Sequence, residues 1–255
     1  SCARHMNASK ILNTTVQTKL PVSEKQTCCL MILNYNGKHL LRDCLPSAIR
    51  AVKAYAHDCA VVVVDNCSTE NDVIYLHKNF PEVEVMIARS NDYLFSLNKE
   101  IAKRNEEIII ILNNDMTFDE NFIAPLISYF QTPGIFAVTA KVFYADTDKV
   151  ITARSRLVYR NFWYSLRRTF DDNIPCYTLY AAGGAAAFRK SMFLELNGFD
   201  RLFHPVYYEE VDLSYRAWRR GWKVIYEPKS LMYHVRSATL EKMFEREELN
   251  QMILR

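Results

Sequence analysis

Ile108-Ile109-Ile110-Ile111-Leu112 runs straight into Asn113-Asn114-Asp115, and this junction decides the fold. So short and so apolar a run, rich in β-branched residues, reads as a strand buried on both faces of a parallel sheet. In open α/β sheets ligands bind beyond the carboxyl ends of such strands, at a topological switch point. Two amides and a carboxylate stand at that edge here. Val61-Val62-Val63-Val64 ends the same way, in Asp65-Asn66-Cys67-Ser68. Two polar strand ends of this kind point to a site for a polar, phosphorylated ligand.

Working outward, strand signals at 28–33, 60–64, 83–88 and 108–112 alternate with helix signals at 38–56, 71–79, 94–104 and 119–130, the last carrying Pro125. Alternation of this kind implies right-handed βαβ units and a parallel sheet. After Gly134 the pattern changes. Stretches at 135–140, 150–159 and 178–188 are strand-like, helices are expected at 191–196 and 209–220, and Gly221 closes the second of these. Short strands follow at 223–226 and 231–235. The fold class is therefore α/β, a single Rossmann-like domain with a mostly parallel central sheet flanked by helices and a smaller mixed-strand half. Residues 1–26 read as an expression-tag remnant and a loose lead-in, and 27–240 as the working domain, divided near 134. Residues 241–255 read as an amphipathic helix without a C-terminal cap, so the natural chain is expected to continue.

Composition narrows the function. A chain of 255 residues with 49% hydrophobic and 24% charged residues is long enough to bury a substantial core. A formal charge of +3 makes no case for nucleic acid. Seven cysteines form no Cys-x-x-Cys pair, and Cys28-Cys29 sit inside an apolar run, so a reducing, cytoplasmic setting is expected. No stretch reaches the roughly 20 apolar residues of a membrane span, and no signal peptide is visible.

Several clusters can carry chemistry, each with an ordinary structural alternative. Asp65-Asn66-Cys67-Ser68 suits a turn and helix cap, or a carboxylate that accepts from a ribose or an imide. Asn113-Asn114-Asp115 suits a loop, or an oxygen site for Mg²⁺ or Mn²⁺ shared with substrate phosphates. Glu209, Glu210 and Asp212 suit the positive end of a helix dipole. Adjacent carboxylates also repel, and that raises a pKa toward what a general base needs. Gly183-Gly184 either packs tightly or lets backbone approach a ligand. His234 is a core histidine or a ligand. Between Lys149 and Phe170 stand six Lys or Arg residues and no acid, interleaved with aromatic residues. That stretch is a solvated basic helix or loop, a flap over the site, or a surface for anionic lipid.

Taken together, these segments resemble glycosyltransferase family 2, inverting enzymes that use nucleotide sugars and have the GT-A fold. Leu33-Asn34-Tyr35-Asn36-Gly37 is similar to that family's first strand and turn, and Val64-Asp65-Asn66-Cys67-Ser68 to its nucleotide-contacting turn. Leu112-Asn113-Asn114-Asp115 falls at the metal motif. Asn197-Gly198-Phe199-Asp200, then Tyr208-Glu209-Glu210-Val211-Asp212-Leu213-Ser214-Tyr215-Arg216 and Gly221-Trp222-Lys223-Val224, resemble the acidic catalytic segment. The resemblance implies donor contacts from Asn34, Tyr35, Asp65, Asn66, Arg89, Asn113 and Asn114. It implies a divalent cation, Mg²⁺ or Mn²⁺, on Asp115 with His234 nearby. Glu210 would be the base with Glu209 beside it, and Gly183, Gly184 and Asp200 would shape the acceptor pocket. The implied partners are a nucleoside-diphosphate sugar and a saccharide or lipid-linked saccharide acceptor, with peripheral contact at the cytoplasmic face of a membrane and no nucleic acid. The metal motif keeps only its last carboxylate, the usual glycines are missing from 91–98, and Glu replaces Asp at the base. Two other readings share the α/β start: a metal-dependent nucleotidyltransferase and a non-catalytic nucleotide-sugar-binding module. A dinucleotide-dependent oxidoreductase would need a glycine-rich turn after the first strand, where only Gly37 stands.

Overall fold

Four strands set the first half: the buried β1 (Cys28–Asn34), β2 (Cys59–Asp65) and β4 (Ile108–Asn113), and the more exposed edge strand β3 (Glu84–Ile87). All pair in parallel, in the order β3-β2-β1-β4. Helices α1 (Lys38–Tyr55), α2 (Asp72–Asn79) and α3 (Leu97–Ala102) lie between them in sequence. The register pairs Asn34 with Asp65 and Leu33 with Asn113, so the polar strand ends meet at one carboxyl edge. In this computed structural model the described residues are 26–235 apart from 56, 153, 161, 162, 171 and 172. The expected lead-in through residue 25 and the closing helix therefore lie outside the described residues.

The second half extends the same sheet. Its elements are β5 (Met116–Phe118), α4 (Ile123–Ile127), β6 (Ile135–Tyr144), β7 (Arg154–Arg160), β8 (Trp163–Thr169), β9 (Cys176–Tyr177), β10 (Ala185–Arg189), α5 (Lys190–Glu195), α6 (Glu209–Arg219) and β11 (Lys223–His234). From β4 the nine-stranded sheet continues β10-β6-β11-β5, with β9 on β11. Strand β10 runs antiparallel to both β4 and β6, whereas β11 is parallel to β6. The result is a mixed sheet, parallel through its first four strands.

Successive residues of a strand face opposite sides, and the core divides accordingly. Leu30, Ile32, Ile108 and Ile110 pack with Leu41 and Leu45 of α1 and with Ile123 and Leu126 of α4. Met31, Ile109 and Ile111 pack with Leu97 and Ile101 of α3, Phe193 of α5 and Leu213 and Ala217 of α6.

The structure corrects several expected elements. The helix expected at 119–130 is shorter, because Met116–Phe118 first pairs antiparallel with β11. Asp119 then makes a tight turn by accepting from Asn121 N at 2.9 Å, which delays the helix to Ile123. The helix expected at 94–104 opens as a 3-10 turn, Tyr93–Ser96. The two short strands at 223–226 and 231–235 are one strand, β11, whose register against β6 shifts between Glu227 and Leu231. Glu227 is buried there, accepting from Tyr129 OH and, at 2.8 Å, from Lys229 N. The basic stretch follows the strand-like reading of 150–159 and not the helix-or-loop alternative. It forms a two-stranded antiparallel ribbon, β7–β8, separate from the main sheet.

Candidate active site

The carboxyl edge of β1, β2 and β4 is knit by amide side chains. Asn34 Nδ2 donates to Asp65 Oδ1 at 3.1 Å and to Asp72 Oδ2 at 2.9 Å. Its Oδ1 accepts from Asn114 Nδ2 at 2.8 Å. Asp65 also takes Ser68 N at 2.9 Å and Ser68 Oγ at 2.6 Å, so Asp65-Asn66-Cys67-Ser68 makes the expected turn, but it does not cap α2, whose N-cap is Asn71. Asn34, Asp65 and Asn66 are buried, and Asn66 Nδ2 donates to the Tyr93 carbonyl at 3.1 Å. These residues set the floor of the site. Tyr35, which follows Asn34, is half-buried.

Sequence reasoning missed Asp72. It opens α2, where an acid reads simply as a dipole partner. It is fully buried, and its Oδ2 also accepts from Gly37 N at 2.8 Å. Gly37 has no room for a side chain, since a Cβ would lie 2.2 Å from Asn114 Nδ2 and 2.5 Å from Asn34 Oδ1. Gly37→Ala should therefore break this network at a cost of about 1–3 kcal/mol. At roughly 2–4 °C per kcal/mol for a chain of this size, calorimetry should record a fall of several degrees. An unchanged melting temperature would show that the amide network gives way freely.

Asp115 and His234 meet because β5 and β11 pair. Met116 is in register with His234, and Val235 N donates to the Asp115 carbonyl at 2.8 Å. His234 Nε2 lies 3.3 Å from Asp115 Oδ2. Asp115 Oδ1 and His234 Nδ1 are buried and have no hydrogen-bond partner. Burial raises the Asp115 pKa, and His234 opposes the rise. A buried carboxylate oxygen with nothing to accept from, beside an imidazole, suits a divalent cation completed by substrate phosphates and water. Among the described residues no third His, Cys, Asp or Glu joins them.

Glu209 and Glu210 open α6 directly after Tyr207 and Tyr208, whose φ values are 79° and 71°. Two successive tyrosines in the left-handed region are strained, and strain of this kind collects at functional sites. The two acids differ. Glu209 is buried, its Oε2 lacks a hydrogen-bond partner, and burial together with Glu210 pushes its pKa up to about 7. Glu210 is half-buried; burial raises its pKa too, while Arg168 of β8 pulls it back.

A raised carboxyl pKa means that the folded chain keeps a proton which the unfolded chain releases. Glu209 should therefore lower stability as pH rises from 4.5 to about 7. Glu209→Gln should gain on the wild type across that window, by at most about 3 kcal/mol at pH 8 relative to pH 4.5. Denaturant midpoints at the two pH values test this; a constant gap between variant and wild type would contradict it.

The turn at Gly183-Gly184 joins the two groups. A Cβ on Gly184 would lie 2.2 Å from Asn113 Oδ1, and one on Gly183 would lie 3.7 Å from Glu210 Cβ. Asn113 N donates to the Gly184 carbonyl at 3.1 Å, and Ala181 N donates to Ser214 Oγ of α6 at 3.2 Å. Consecutive residues thus touch the Asn113-Asn114-Asp115 edge and the glutamate at the start of α6.

Two further expected residues have other surroundings. Arg89 is exposed and lines a cleft of about 360 Å³ with Asp92, Phe95, Asn98, Lys103 and Arg201. That cleft adjoins the Asp65–Ser68 turn, through Cys67 Sγ on the Ala88 carbonyl at 2.9 Å, but neither Asp115 nor Glu210 lines it. Asp200 caps a 3-10 turn by accepting from Leu202 N at 2.9 Å, and its loop is held by Asn98 and Arg216.

Comparison with known proteins gives consistent matches. The family model described as Glycosyltransferase like family 2 matches residues 26–249. The O-antigen chain rhamnosyltransferase RfbN of Salmonella typhimurium is 24% identical over 226 residues, which cover 85% of this chain and 69% of that protein. The O-antigen chain rhamnosyltransferase WbaN of Salmonella anatum is 23% identical over 194 residues, covering 73% of this chain and 59% of its own length. Among solved structures, GalNAc-T7 with UDP, GalNAc and Mn²⁺ superposes with a TM-score of 0.65 at 20% identity, over 82% of this chain and 44% of that one. The mannosyltransferase PcManGT of Pyrobaculum calidifontis, in complex with GDP-Man and Mn²⁺, gives 0.65 at 16% identity, over 91% and 63%.

Proposed function

The chain belongs to Glycosyltransferase like family 2 and is a glycosyltransferase of GT-A fold; from that premise we propose that it moves a sugar from a nucleoside diphosphate to a saccharide hydroxyl, inverting the anomeric centre, in cell-surface polysaccharide assembly. The observation that carries this reading is the Gly183-Gly184 turn, which lies between the Asn113 edge on one side and Glu210 on the other. A donor diphosphate at Asp115 and an acceptor hydroxyl at Glu210 would then share one cleft.

In this reaction Glu210 accepts the proton of the acceptor hydroxyl. That oxygen forms the new bond to the anomeric carbon as the bond to the diphosphate breaks on the opposite face. The nucleoside diphosphate leaves with the bonding pair. Asp115 and His234 would hold a divalent cation, whose positive charge stabilises the leaving diphosphate when it is bound. Mn²⁺ with a nucleotide or nucleotide sugar in both structural neighbours supports that ligand. The Asn34–Asp65–Asp72–Asn114 network shapes the floor beneath the nucleotide. The rhamnosyltransferase relatives put a rhamnosyl donor first among those to test, and a lipid-linked saccharide is the acceptor proposed.

The test is a thermal-shift panel of UDP, GDP and dTDP sugars with Mn²⁺, followed by product analysis. Binding to the folded state alone raises the melting temperature. Release of a nucleoside diphosphate with acceptor glycosylation is the expected result. Release of pyrophosphate would indicate nucleotidyl transfer instead, and binding without turnover a non-catalytic module.

A further inference from the structure

The β7–β8 ribbon takes no part in the main sheet, and of its residues only Arg168 bears on the Glu210 site. Its two strands pair only with each other, from Arg154 opposite Thr169 to Arg160 opposite Trp163. A two-stranded ribbon without a covering layer gains little stability alone. The alternation sorts its side chains. Arg154, Arg156 and Arg167 fall on one face, with Arg156 directly opposite Arg167. Like charges directly opposite one another on a sheet destabilise it. Among the described residues, no ion pair satisfies Arg156, Arg167 or Arg168.

The other face carries Leu157 opposite Leu166, with Tyr159 further along; they are 44%, 40% and 58% exposed. Phe170 and Ile174, just past β8, are 42% and 55% exposed. Of the eleven large apolar side chains exposed on the described surface, these five belong to one short segment. The segment between Lys149 and Phe170 has no acid that could neutralise the arginines.

We propose that the β7–β8 ribbon docks this protein on an anionic lipid bilayer by entering the interface edge-on, so that Arg156 and Arg167 on one face meet headgroups while Leu157, Leu166 and Tyr159 on the other reach the headgroup–acyl boundary. Arg156 and Arg167, which have no ion-pair partner among the described residues, gain phosphate partners, and their mutual repulsion turns into shared attraction. The exposed apolar residues supply the short-range part that charge alone lacks. The base of the ribbon is fixed to the body of the protein: Ser155 N donates to Thr178 Oγ1 at 2.9 Å and Leu179 N to the Ser155 carbonyl at 2.7 Å. From Thr178 the chain runs to Ala181, which binds Ser214 of α6, so docking would orient the Glu210 end of the cleft relative to the membrane. The inference stands independently of the transfer reaction.

The test is vesicle flotation at low salt with phosphatidylcholine alone and with phosphatidylcholine plus phosphatidylglycerol. The wild type should float only with the anionic vesicles and be released at high salt. R156E/R167E should lower the partition coefficient by about 100-fold or more, since roughly one kcal/mol rides on each basic residue near such a surface. L157S/L166S should weaken flotation while leaving its salt dependence in place. R42E/K53E, which reverses two exposed charges on α1, is the control for net charge, and melting temperatures confirm that every variant is folded. The inference is overturned if the wild type stays down with anionic vesicles, or if R156E/R167E floats as well as it does. Equal losses in R156E/R167E and R42E/K53E would also overturn it, because net charge would then explain the binding. So would binding to soluble polyphosphate that prevents any vesicle association.

Discussion

Glu210→Gln should reduce sugar transfer by about 10²- to 10⁴-fold, the usual worth of general-base assistance, and leave the protein folded. Gln keeps the shape and removes only the capacity to take a proton. Glu210 is well placed to act as that base, because it opens α6, its Cβ faces the Gly183 turn, and it is half-buried. Burial raises its pKa and Arg168 limits the rise. Wild-type transfer should therefore climb with pH as the carboxylate forms and then level off. The variant should lose that climb in kcat while its donor KM stays close to wild type, because a base acts on the acceptor in the transition state and not on donor binding. Steady-state kinetics across pH measure both. A variant within tenfold of wild type would remove Glu210 from the proton transfer, and Glu209, the neighbouring acid, would be the next to replace.

Asp115→Ala should abolish the effect of Mn²⁺ on donor affinity. Asp115 is the carboxylate of its strand-end motif, and among the described residues no further His, Cys, Asp or Glu joins it and His234. Removing the one anionic ligand leaves an imidazole to hold a hard cation, a poor match. Titrating the nucleoside diphosphate calorimetrically with and without Mn²⁺ should show at least a tenfold gain from the cation in the wild type and none in the variant. If Mn²⁺ still tightens binding to Asp115→Ala, the cation sits elsewhere. The side-chain change should matter little to β5 itself, because Val235 N pairs with the backbone carbonyl of Asp115 and not with its carboxylate.

The sequence made the first half of the fold legible because its strands are uniform apolar runs. Ile108-Ile109-Ile110-Ile111-Leu112 has no choice of face and needs none in a strand covered on both sides. The polar residues that end β1, β2 and β4 were legible for the same reason, since the register is set by the buried runs preceding them. The second half was harder. Met116–Phe118 is three residues long, too brief for any periodicity, and pairs with a strand more than a hundred positions away. Within 149–170 the first strand was legible at 150–159, but the arginines and aromatic residues hid the second, 163–169, whose period of two becomes plain only once Arg156 is set opposite Arg167. Asp72 was passed over because an acid in the first turn of a helix is ordinarily explained by the helix itself. Its contacts to Gly37 and Asn34 arise from tertiary packing, which no local pattern records.

Strand β10 lies between β4 and β6, so the two halves of the chain share one continuous sheet. Cutting the chain near residue 134 would strip β10 from β4 and leave Ile108–Asn113 as a bare, flat, apolar rim. Such rims recruit other chains. Anyone seeking a minimal nucleotide-binding fragment should therefore carry residues 185–189 along with it, or expect the shorter piece to precipitate.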